Sequence, residues 1–202
     1  MAPEKAPRWI ITGILLIIIL SGVINMLGMT GLTPVKCVSF SNGYGEERTV
    51  SFNPLVLVSM SVSLIYSVTV AILALVRKWG AVIVVGTLCL IACTLIDIWG
   101  IAGLLSTGSF DDLNAGMQNR IVWDIVGDLL YVVGCLILAF SCNISQLEKI
   151  SVIAIVILFS LMCLLPLPAN GWLIVNILKV CATLGILFIG YNNKQTHTLN
   201  KV

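Results

Sequence analysis

Apolar residues run in long uninterrupted blocks along this chain, and the polar residues between the blocks gather in short clusters. Six blocks approach the roughly 20 residues that a helix needs to cross the hydrocarbon core of a bilayer. They are Trp9 to Met29, Pro54 to Val76, Ala81 to Leu105, Ile121 to Cys142, Ile150 to Leu167 and Trp172 to Tyr191. Barrel strands would alternate polar and apolar residues over about ten positions, so continuous apolarity predicts helices. The expected fold class is all-α, a polytopic membrane protein with six transmembrane helices in a single bundle spanning residues 1–202.

Composition narrows the classes of function. Of the 202 residues, 59% are hydrophobic and 10% charged, whereas a soluble domain carries about a quarter charged residues. Such a chain cannot cover a water-facing surface, which excludes a soluble enzyme and a disordered protein. A net charge of +2, with no run of Lys or Arg, also excludes a nucleic-acid partner. The partner that remains certain is the lipid bilayer.

Orientation follows from the Lys and Arg of the short connections. With the N-terminus inside, Lys5, Arg8, Arg77, Lys78, Lys149, Lys194 and Lys201 are cytoplasmic, and Lys36, Arg48 and Arg120 are outside. Seven against three predicts that both termini are cytoplasmic, with the cell membrane as the expected location and 192–202 as a cytoplasmic tail. The first block is too long for a signal-peptide core and no A-x-A-like site follows it, so it is expected to remain as a helix.

Two connections exceed a turn. In 30–53, Val35 to Phe40 and Arg48 to Phe52 flank Asn42-Gly43 and share the triplet Val-Ser-Phe, the signature of a small extracytoplasmic β-hairpin. The second, 106–120, is expected as an extracytoplasmic loop holding a short interfacial helix capped by Ser109.

Seven cysteines raise the question of redox or metal chemistry. Cys89, Cys93, Cys135, Cys163 and Cys181 fall within spans, Cys142 at an inner end and Cys37 in an outer loop, with no C-x-x-C pair among them. Buried cysteine behaves as a small hydrophobe. The single histidine, His197, lies in the tail. No metal site, cofactor or catalytic residue is therefore expected.

Charges inside the spans are the exception that the pattern must explain, because each costs about 2.5 to 3.5 kcal/mol near mid-membrane. There are four: Asp97, Asp124, Asp128 and Lys179. Counting helix rise from the outer end of each span puts Asp97, Asp128 and Lys179 roughly 10 to 12 Å below the outer surface. Asn25, Asn176 and Tyr131 join the same layer, and Asp128 to Lys179 is the expected ion pair. Three acids against one base then leave negative charge to be met by protonation, a bound cation or water.

Two functional readings follow. In one, this layer is an outward-facing acidic pocket that binds or transports a proton, cation or small polar solute. In the other, the charges pin helices together in a structural or accessory subunit that packs against a membrane-protein partner. Asp97 and the Gly127-Asp128 step on adjacent spans resemble the paired aspartates of intramembrane aspartyl proteases. Ile125 and Val126 break the Gly-x-Gly-Asp pattern of that family, however, and a non-enzyme is expected.

Overall fold

A computed structural model describes residues 6–33, 36–41, 47–106, 110–163 and 168–199. Six helices follow one another: α1 (Trp9–Met29), α2 (Leu55–Arg77), α3 (Ala81–Ser106), α4 (Phe110–Ser141), α5 (Gln146–Cys163) and α6 (Ala169–Leu199). Between α1 and α2 the strands β1 (Lys36–Ser41) and β2 (Glu47–Phe52) pair antiparallel, with Val38 opposite Val50. The Asn42-Gly43 turn expected between them lies outside the described residues.

Among the described residues, five helical segments are long and apolar enough to cross a membrane: Trp9–Met29, Leu55–Arg77, Ala81–Gly103, Val122–Ser141 and Asn170–Tyr191. The remaining helix, α5, has 18 residues and opens with the polar Gln146, Glu148 and Lys149. Three helices outrun their apolar blocks, α5 by starting at Gln146 rather than Ile150. α4 starts at Phe110 rather than Ile121, so most of the expected second loop is helical, and α6 continues to Leu199 through the expected tail. Hydropathy registers only the stretch suited to lipid, whereas backbone hydrogen bonding carries a helix on into polar sequence.

Helices adjacent in sequence pack side by side, and α6 returns against α1 to close a ring, with α1 also touching α4. One buried cluster draws on all six: Ile14 and Leu15 of α1, Val70 of α2, Ile83 of α3, Leu138 of α4, Val152 of α5 and Ile186 of α6. Leu16, Ile65, Val82, Leu129 and Phe188 point outward. Lipid tails are as apolar as these side chains, so burial alone drives little association; close packing and polar ties decide which helices meet.

Close packing is tightest between α3 and α4. A Cβ placed on Gly134 would sit 2.8 Å from the carbonyl oxygen of Gly86, so the two backbones touch where their glycines cross.

Polar ties hold both ends of the bundle. At the hairpin end, Asn53 Nδ2 donates to the Ile24 carbonyl at 3.2 Å and to Thr33 Oγ1 at 3.2 Å, while its Oδ1 accepts from Leu55 N–H at 3.0 Å. At the opposite end, which carries Arg8, the Tyr66 hydroxyl donates to the Ile10 carbonyl at 2.7 Å. Trp9 meets Tyr66 and Trp79 edge-on there, with ring centroids 6.3 and 6.1 Å away. Ala6 is fully buried; its N–H donates to the Ser141 carbonyl at 3.3 Å and its carbonyl accepts from Asn143 N–H at 2.9 Å. The α2–α3 turn closes at this end through Lys78, whose left-handed backbone (φ 54°, ψ 38°) lets Trp79 N–H donate to the Ala74 carbonyl at 3.1 Å.

Candidate functional site

Asp128 and Lys179 reach one cavity from different helices. It measures about 70 Å³ and is lined by Asp128 and Tyr131 of α4, Ile155, Val156, Phe159 and Ser160 of α5, Lys179 of α6 and Ile18 of α1. The helical period sets this up: Asp128 and Tyr131 are three residues apart on one face of α4, as are Val156 and Phe159 on α5. Lys179 Nζ stands 5.9 Å from the centre of the Phe159 ring, over its electron-rich face. Asp128 interacts electrostatically with both Lys179 and Asp124. A volume of this size holds a few waters or one small ion.

The cavity lies level with the middle of α1. Ile18 is near the middle of α1, roughly 16 Å of helix rise from Met29. Helices α4 and α6 begin at Phe110 and Ala169, while their stretches suited to lipid begin at Val122 and Asn170.

The other expected site residues occupy different places. Asp97 is half-buried between α3 and α4: its Oδ1 lies 3.8 Å from where a Cβ on Gly127 would sit, and Cys93 Sγ donates towards Oδ2 at 4.0 Å. The Asp97 carboxylate thus lies beside Gly127, on a face of α4 next to the one that carries Asp128. Asp124 is exposed, in a stretch with exposed Trp123 and Ile125, and does not line the cavity. Trp123 packs edge-on with Trp99 at 5.8 Å, one helix away. Asn176 is buried and returns its amide to the Trp172 carbonyl at 2.9 Å, its own carbonyl lying 3.7 Å from a Cβ placed on Gly22. That contact joins α6 to α1 rather than facing the cavity. Asn25 is half-buried and likewise not part of the lining. The serines of α2 serve packing: Ser59 and Ser67 are buried, and Ser63 Oγ meets Thr94 Oγ1 of α3 at 3.4 Å.

Among the described residues no three His, Cys, Asp or Glu side chains lie close enough to hold a metal ion. The polar residues of the cavity lining are Asp128, Tyr131, Ser160 and Lys179.

A second polar constellation, at the Arg8 end, joins three helices and was not anticipated. Arg8 Nη2 and Glu148 Oε1 form a salt bridge of 2.7 Å, with the Glu148 side chain 8% exposed and that of Arg8 30%. Ser145 N–H and Oγ donate to the other carboxylate oxygen at 3.0 and 2.9 Å, and Glu148 N–H donates back to Ser145 Oγ at 3.3 Å. This reciprocal arrangement is a capping box, legible in the sequence as Ser145-x-x-Glu148 before an apolar run. Gly190 of α6 supplies the space: a Cβ there would collide with both the Arg8 guanidinium and the Glu148 carboxylate.

The chain matches no protein-family model, no curated protein and no solved structure.

Proposed function

We propose that this chain is a multi-pass protein of the cell membrane, both termini cytoplasmic, whose central cavity binds a proton or small cation and passes it across the bilayer without covalent catalysis. The observation that carries this reading is the meeting of Asp128 and Lys179, from separate helices, in one cavity too small for a metabolite. A carboxylate facing an ammonium has two states: ionised and paired with the lysine at zero net charge, or neutralised by a proton or monovalent cation and released from it, the cavity then carrying the one positive charge taken up. Tyr131 and Ser160 are further ligands or relay groups, and Asp124 adds negative potential one turn away. For Asp97 the structural role is the better supported, since it fills the α3–α4 seam against Gly127 rather than lining the cavity.

The test is flux through liposomes reconstituted with the purified protein. Wild type is expected to dissipate an imposed proton or Na⁺ gradient faster than empty liposomes do, and Asp128→Asn to fall to the empty-liposome rate while keeping its fold in detergent. Equal rates for wild type and Asp128→Asn, for both ions, would sink the proposal.

A further inference from the structure

We infer that the Arg8–Glu148 pair, seated in the notch left by Gly190, is the gate that closes the central cavity towards the Arg8 end of the bundle. This rests on the transport reading above and adds the route and its point of control. The seam between α1, α5 and α6 runs from one constellation to the other on continuous helix faces. Helix α1 presents Thr12, Leu15 and Ile18 in turn; α5 presents Glu148, Val152, Val156 and Phe159; α6 presents Lys179, Thr183, Ile186 and Gly190. Its two ends are open. The cavity of Asp128 and Lys179 lies at one, and a notch of about 1090 Å³ lined by Arg8, Thr12, Ser145, Glu148, Gly190 and Tyr191 lies at the other.

Between the residues that line the two openings, the same helix faces carry a single buried layer. Leu15, Val152, Ile186 and Thr183 are buried, and the Thr183 hydroxyl turns back onto the Lys179 carbonyl at 2.6 Å. The ion pair is the strong tie across the seam at that end, because separating it leaves Glu148 buried beside Gly190 without its counter-charge. Glu148 is fixed by the capping box, so Arg8, on the more exposed side, is the part that moves.

Thiol accessibility tests the gate without measuring transport. Thr183→Cys places a reactive group in the buried layer, and a charged, water-soluble methanethiosulfonate is applied in membranes open at both faces. With the native pair, position 183 should react slowly. Adding Arg8→Gln should accelerate labelling at least about tenfold, the factor that corresponds to about 1.4 kcal/mol of closure. Arg8→Lys, which keeps the charge, should restore most of the protection. Unchanged labelling with Arg8→Gln would overturn the gate, as would rapid labelling of Thr183→Cys with the pair intact. Cys135, 2% exposed and on α4, serves as the internal reference. Should it become reactive in step with position 183, the pair braces the whole bundle and the gate is refuted. Because liposome flux reads Asp128 alone, loss of the gate and loss of the cavity's function are separable results.

Discussion

Gly190→Ala is expected to destabilise the detergent-solubilised protein by about 3 kcal/mol, although helix propensity alone favours alanine over glycine by about 1 kcal/mol. The sign is therefore diagnostic. The added methyl occupies the space of the Arg8 guanidinium and the Glu148 carboxylate. Arg8 is 30% exposed and can swing towards water, but Glu148, 8% exposed and bonded to Ser145, cannot follow. What remains is a buried carboxylate stripped of its partner, the costly case for an ion pair. Gly185 of α6 provides the contrast, since a Cβ there meets nothing within 4 Å. Gly185→Ala should be neutral or slightly stabilising in the same thermal or denaturant titration.

Gly134→Ala is expected to cost about 2 kcal/mol through overpacking at the α3–α4 crossing. The new methyl would stand 2.8 Å from the Gly86 carbonyl oxygen, a backbone atom with no rotamer to change, and 3.1 Å from Leu90. Relief requires the two helices to separate along their length, which also loosens the seam that holds Asp97 against Gly127. Unfolding midpoints compared with wild type provide the check. An unshifted midpoint would mean that these helices do not meet at their glycines.

Physical chemistry explains which features were legible in the sequence. Where an apolar block ends in turn or charged residues, its limits show: helix α1 occupies the same residues as the first block, and α3 begins at Ala81 after the Lys78–Gly80 turn. Where a helix continues into polar sequence, hydropathy is silent, hence the missed starts at Phe110 and Ala169. Intramembrane charge picked out Asp128 and Lys179 because their cost in lipid demands a partner. Depth counting alone could not separate them from Asp97, Asn25 and Asn176, since membership of one layer does not say which face of which helix looks inward. The gate residues were overlooked for a different reason. Arg8 and Glu148 sit at helix ends, where charge is unremarkable, and only the closure of α6 onto α1 brings Gly190 between them.

The meeting of Asp128 and Lys179 in a single cavity is tested most directly by a double-mutant cycle on stability, using Asp128→Asn, Lys179→Gln and the combined variant. Side chains that face each other across one cavity should couple, so the double variant should lose at least about 1 kcal/mol less than the two single losses summed. A double variant that loses as much as that sum would show that Asp128 and Lys179 do not act on each other, contradicting the account.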